Sequence, residues 1–322
     1  MKNIRNLLVD HRTRSVRLAI LEGSDESLDP NTTINCDGLG RIRRYAGQSM
    51  ILNSGRGIVP RRRLFRTLPP GSGYTTQCFQ LAGCNWRCWY CFVDDALLTA
   101  NPMRSRFVPV ADMVSAFLAM PDGGSVLDLS GGQPELVPEW TLWTMQDLEA
   151  TGLRGQVHVW VDDNLSGRFL ERYCTSEEIE YMASFPKHTR AGCFKGMDDI
   201  SIKAATGSRG ASVTQQLRAC EALIDWGFDV YFYLTTLGPF RDGPKEAARQ
   251  FVNRLIGVHP LLPLRVIPLE IRNHRALLTR VGTSREGERL NQIEGLIAWE
   301  EQLAESFTPE QLATPYESIH LT

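Results

Sequence analysis

From about residue 74 the chain carries short apolar runs rich in β-branched and aromatic residues. Tyr74–Leu81, Val126–Leu129, Val157–Val161, Ile200–Lys203, Val230–Leu234 and Arg265–Leu269 are each bounded by polar, Gly or Pro residues, which predicts six strands. Between them the apolar positions change to a helical period. Val213, Leu217, Cys220 and Ile224 make one stripe, and Ala248, Phe251, Val252 and Leu255 another. Leu142, Met145 and Leu148 make a weaker one after Pro138, and Pro109–Met120 also fits a helix. Thr175 followed by Glu178 has the form of a capping box ahead of Ile179 and Met182. Strands alternating with helices imply βαβ units and a parallel sheet, so the fold class is α/β. Six such units suit a partial (βα)6 barrel better than a closed eightfold one. An open doubly wound sheet is the competing architecture, and spacing leaves it open.

Residues 1–73 do not follow this rhythm. No acidic residue lies between Asp37 and Asp94, whereas Arg41, Arg43, Arg44, Arg56, Arg61, Arg62, Arg63 and Arg66 accumulate. This predicts an Arg-rich N-terminal extension over 1–73, carrying a small β element, ahead of a barrel over 74–284. Residues 285–322 form a C-terminal helix and tail, with Leu290, Ile293, Ile297 and Trp299 on an acidic helix, Glu286–Glu305. The arginines could bind phosphate, or form a solvated or partner-facing loop, which is the preferred reading.

Composition narrows the class. The 322 residues suffice for one large core, and 43% hydrophobic with 22% charged residues is ordinary for a globular protein. A formal net charge of −2 argues against nucleic acid as a partner. No apolar run has the length of a membrane span, and Arg and Asp interrupt the first twenty residues, so neither a membrane nor a signal peptide is expected. The expected location is cytoplasmic. In a reducing compartment the eight cysteines read as metal ligands or thiols, not disulfides.

Three of them cluster. Cys84, Cys88 and Cys91 are spaced C-x3-C-x2-C, close enough for one short loop to wrap a metal centre. Three thiolates on a cubane cluster leave one iron free to bind a ligand. The same spacing also fits zinc, for which nearby Cys78 could supply a fourth ligand. Cys36, Cys78, Cys174, Cys193 and Cys220 form no second close set and read as buried small hydrophobes.

Cys84, Cys88, Tyr90 and Cys91 together resemble the C-x3-C-x-aromatic-C signature of the radical S-adenosylmethionine (SAM) superfamily. The resemblance implies a partial radical SAM barrel and a [4Fe–4S] cluster on these three cysteines. It also implies cleavage of SAM to a 5′-deoxyadenosyl radical that abstracts hydrogen from a substrate. An electron donor such as flavodoxin or ferredoxin would be a partner, and the substrate could be a small molecule or a protein glycine. By the same resemblance Tyr90 would pack beside the adenine, with Phe92 near it.

Further segments are similar to motifs of the family, and most closely to its glycyl-radical activating branch. Gly131-Gly132-Gln133-Pro134 resembles a Gly-Gly-Glu-Pro motif that binds the SAM amino group, with Gln133 in place of Glu. Asp162 and Asn164 in Asp162-Asp163-Asn164 match an Asp-Thr-Asn motif whose Asp holds the same amino group. Ser201 and Lys203 fall on an Asp-x-Lys pattern, the Lys pairing with the SAM carboxylate and Ser201 replacing the ribose-binding Asp. Glu270 stands near a family His, with His274 a turn later, either of which could face the site. With Thr235 or Thr236, these features fall at carboxyl ends of predicted strands, the rim that carries the site in α/β barrels. A non-catalytic zinc or iron–sulfur module is the second class.

Overall fold

The computed structural model describes residues 4–29, 32–45, 74–120, 124–282, 284–314 and 318–321. Its strands are β1 (Val9–Asp10), β2 (Ser15–Ala19), β3 (Thr32–Asn35), β4 (Gly40–Tyr45), β5 (Tyr74–Leu81), β6 (Ser105–Pro109), β7 (Val126–Gly131), β8 (His158–Asp163), β9 (His188–Phe194), β10 (Val230–Thr235) and β11 (Val266–Leu269). The helices are α1 (Val110–Leu118), α2 (Pro138–Ala150), α3 (Phe169–Tyr173), α4 (Ser176–Ala183), α5 (Asp199–Thr206), α6 (Val213–Asp225), α7 (Pro244–Val258), α8 (Arg275–Val281), α9 (Glu286–Ser306) and α10 (Pro309–Ala313).

Strands β5, β7, β8, β9, β10 and β11 pair parallel and in that order. The order never reverses, so there is no switch point and the doubly wound alternative is excluded. Among the described residues β11 pairs only with β10, so the sheet stays open and the architecture is the expected partial barrel. No helix among the described residues is long and apolar enough to cross a membrane.

Strand parity separates two faces. Leu127, Leu129, Val159, Val161, Phe194, Phe232 and Leu234 are fully buried in one core with Met145, Ile179, Met182, Phe251, Leu255 and Trp299 of the helices. Burying each side chain of this size contributes about 1.5–3 kcal/mol. The alternate positions face the barrel interior and are far more polar. Cys78 lies opposite Asp128, Asp128 opposite Trp160, and Asp162 opposite Ala191.

The N-terminal strands extend the first edge of this sheet. β4 pairs antiparallel with β5 from Gly40–Phe79 to Tyr45–Tyr74, and β2 meets β5 at Leu18–Leu81 before running along β6. Arg41, opposite Cys78, forms a buried ion pair with Glu26 at 2.7 Å, and the Gln80 amide donates to the same carboxylate at 2.6 Å. Arg56, Arg61, Arg62, Arg63 and Arg66 lie outside the described residues.

The fourth strand is a correction. Ile200–Lys203, expected as a strand, belongs to helix α5, and the strand is β9, which ends at Phe194. Asp198 caps α5: its carboxylate accepts from Ser201 N at 2.7 Å, and the Ser201 hydroxyl serves the Asp198 backbone in return. Gly207, at φ +66°, closes the helix in the left-handed conformation. β9 lacks an apolar pattern because three of its four outward positions are His188, Arg190 and Gly192, with only Phe194 apolar. Arg190 is fully buried, paired with Glu135 and stacked 4.5 Å over Phe228.

At the far edge α9 reaches back to the chain leaving β11. The Gln292 side chain accepts from Ile271 N at 2.7 Å and donates to Ile271 O at 2.8 Å. The Thr236 hydroxyl donates to Gln292 O at 3.0 Å, which turns Thr236 away from the barrel mouth.

Candidate cofactor cavity

A cavity of about 610 Å³ opens where the parallel strands end. Cys84, Cys88, Tyr90, Cys91 and Phe92 line it from the loop after β5. Gly131, Gly132 and Gln133 enter from the end of β7, Asp162 and Asn164 from the end of β8, and Thr235 from the end of β10. Glu270 and His274 close it after β11. Ser201 and Lys203 are not among its lining residues. On α5 Ser201 is buried in the cap, and the Lys203 carbonyl accepts Gly207 N. Lys195, just past the end of β9, lines the cavity instead.

The cysteine loop is held from beneath by α5, whose last carbonyls would otherwise lack donors. Ala205 O accepts Trp89 N at 3.1 Å, and Thr206 O accepts Arg87 N at 3.0 Å. Burial raises the Cys84 thiol and pushes Cys88 and Cys91 up to about 11. Trp86 N, 3.4 Å from the Cys84 sulfur, acts in the opposite sense, as does the Val93 amide on Cys91. The Asn164 amide also reaches the Cys84 sulfur at 3.7 Å. Three thiols on one cavity wall, approached by backbone and side-chain N–H donors, are the donor set an iron–sulfur cluster takes. Among the described residues no three His, Cys, Asp or Glu side chains are gathered tightly enough to hold a metal as they stand. Cys78, the expected fourth zinc ligand, lies inside the barrel beside Arg41 and Asp128, and does not line the cavity. Cys193, read as a buried small hydrophobe, does line it.

The two glycines at the end of β7 let it approach β5 and the start of the cysteine loop. A Cβ on Gly132 would lie 2.0 Å from Gly83 O, and Gly131 sits at φ +89°. Gly132 N donates to Leu81 O and Gln133 N to Gly83 O, at 3.1 and 2.8 Å. The Gln133 side chain is spent within the protein: it donates to Asp163 at 2.6 Å and accepts Asn164 N at 2.8 Å. It locks the β7 loop to the β8 loop.

Asp162 and Lys195 supply the charges. Burial raises the Asp162 pKa, while the Ser130 hydroxyl at 2.5 Å and the Trp160 indole at 3.0 Å favour its anion. Burial opposes the Lys195 charge, yet Cys193, Tyr90 and Cys88 outweigh it and raise Lys195 well above its ordinary value. The Tyr90 hydroxyl lies 3.3 Å from Thr235 Oγ1, and its ring lies 6.0 Å from the Lys195 ammonium. Phe92 is half exposed, with Arg41 over its ring at 5.6 Å. Glu270 pairs with Arg272 at 3.0 Å. His274 accepts Leu277 N on Nδ1, so Nε2 carries the proton given to Tyr90 O at 3.2 Å. Burial lowers its pKa.

Lys195 had a signal in the sequence. Cys193-Phe194-Lys195 ends a strand with the spacing of Asp-x-Lys, a Cys standing where the Asp would be.

No family model and no curated protein matches this chain. Among solved structures it is similar to Streptococcus suis SuiB bound to the precursor peptide SuiA, at 12% identity and TM-score 0.40 over 56% of this chain and 35% of that one. It is similar to anSMEcpe with bound AdoMet, at 14% identity and TM-score 0.41 over 60% of this chain and 48% of that one. It is also similar to a radical SAM methyltransferase from Sphaerobacter thermophilus, at 15% identity and TM-score 0.43 over 81% and 73%. The chain thus matches about a third of the length of SuiB and about half of anSMEcpe.

Proposed function

We propose that this chain is a radical SAM enzyme. The observation that carries the reading is convergence: the Cys84–Cys88–Cys91 loop, Asp162 and Lys195 meet on one cavity at the carboxyl rim of a partial barrel. A [4Fe–4S] cluster on the three cysteines, with SAM bound, would supply a 5′-deoxyadenosyl radical that takes a hydrogen atom from the substrate.

The chain's own residues provide the placement. Lys195 would pair with the SAM carboxylate, in the role the Asp-x-Lys resemblance had put on Lys203. Asp162, its oxygens oriented by Ser130 and Trp160, would accept from the SAM amino group. Tyr90 is the adenine neighbour, with Phe92 at the mouth. Gln133 and Asn164 fix the two loops that carry these contacts. Trp86, Leu98, Leu269 and Ile271 give the cavity apolar wall that keeps water from the radical. Flavodoxin or ferredoxin suits the electron supply, and the substrate is a small molecule or a protein glycine.

Anaerobic reconstitution tests the reading. The protein should take up about four irons per chain by cluster stoichiometry, and the dithionite-reduced protein should release 5′-deoxyadenosine from SAM. Cys84→Ala, Cys88→Ala and Cys91→Ala should each prevent a stable cluster. Stoichiometric zinc with no iron uptake would overturn it.

A further inference from the structure

Two arginines that do not line the cavity answer backbone carbonyls of the cysteine loop. Arg280, near the end of α8, donates from Nη1 to Cys91 O at 2.6 Å and Trp89 O at 3.4 Å, and from Nη2 to Val93 O at 2.7 Å. Its Nε lies 3.2 Å from each carboxylate oxygen of Asp95. Arg87 donates to Cys84 O and Trp86 O, both at 2.7 Å, and His274 takes Tyr90 O. Arg280 does not line the cavity that Cys91 lines, so it stands behind the loop. Its side chain is only 14% exposed.

In a planar peptide the C=O of one residue and the N–H of the next point in opposite directions. Fixing the carbonyls of Trp89, Cys91 and Val93 on a cation behind the loop turns the amides of Tyr90, Phe92 and Asp94 the other way. The rigid guanidinium fork can serve three carbonyls and a carboxylate at once, which a lysine cannot.

We propose that Arg280 is a positioning residue for the cysteine loop. It holds the loop shaped for its ligand before metal arrives and places a positive charge, partly offset by Asp95, behind the cluster. The charge part rests on reading Cys84–Cys91 as a cluster loop, and the shape part does not. A buried cation favours the more negative, reduced cluster, so removing it should lower the midpoint potential. Removing Asp95 should do the reverse.

Two measurements test this. In metal-free protein, hydrogen exchange at loop amides 84–95 should quicken at least about tenfold in Arg280→Gln, since a hydrogen bond from a charged donor is worth a decade or more. Arg280→Lys should also quicken it, and strand amides should stay protected in both, showing that the fold persists. In reconstituted protein the midpoint should shift negative in Arg280→Gln and positive in Asp95→Asn, and stay near the parent in Arg280→Lys. Unchanged loop exchange in Arg280→Gln overturns the clamp, whatever metal the protein binds. Potentials that move together, or not at all, overturn the charge role. A protein that takes up no iron in any form defeats the cluster reading instead, and the exchange result then decides the clamp alone.

Discussion

Lys195 carries its ammonium into a cavity among Cys193, Tyr90 and Cys88, with burial against it. A charge-assisted hydrogen bond to a SAM carboxylate is worth about 1.5–3 kcal/mol. Lys195→Ala should therefore weaken SAM binding about ten- to a hundredfold in equilibrium titration, with the cluster's absorbance retained. Lys203→Ala, on α5 and outside the cavity, should bind like the parent. The cysteines were legible from their spacing, and Asp162 and Gly132 from the family motifs they resemble at strand ends. Lys195 was obscured because Lys203, eight residues later, also follows an apolar residue at the end of a short alternating run. Gln133 was legible as a position and not as a role, since nothing in its own segment shows that Asp163 and Asn164 occupy its side chain.

At the level of elements, β5, β7, β8, β10 and β11 were read correctly, and β7, β8 and β10 owe this to an apolar outward face that buries Leu129, Val161 and Phe232 under the helices. β9 buries an ion pair there instead, so its pattern vanishes. Ile200–Lys203 alternates apolar and polar over only four residues, too few to separate a period of 2 from 3.6. The deciding signals were at the ends, in the Asp198 cap and Gly207. That cap matters beyond α5, because the last carbonyls of the helix hold the amides of Arg87 and Trp89. Asp198→Ala should cost about 0.5–2 kcal/mol in urea unfolding. It should also quicken exchange at those two loop amides.

For the whole molecule, stability should depend on pH through His188. Burial, with Arg190 second, lowers its pKa well below 6.5. Its ring lies against Phe228, and Nδ1 donates to Val159 O at 3.0 Å. The folded chain does not take the proton that the unfolded chain binds, so this contribution is complete above pH 6.5 and is lost as pH falls through it. The loss approaches about 1.4 kcal/mol per pH unit. Asp128 and Asp163, raised to about 7 by burial, act in the opposite sense between 3.8 and 7. The quantity to read is therefore the difference in urea midpoints between the parent and His188→Gln. The parent should lose more stability than the variant on acidification from pH 7 to 5, and parallel curves would show that His188 titrates as it does unfolded. The open edge has a consequence of another kind. An unclosed sheet offers its last backbone groups to any other extended chain, and this is how such proteins stick to one another. At Ile271 the side-chain amide of Gln292 supplies the acceptor and donor that a neighbouring strand would bring. The molecule thus carries its own decoy strand at that point, one residue long. Concentrated solutions of Gln292→Leu should scatter more light than the parent, as chains zip together where the decoy is gone.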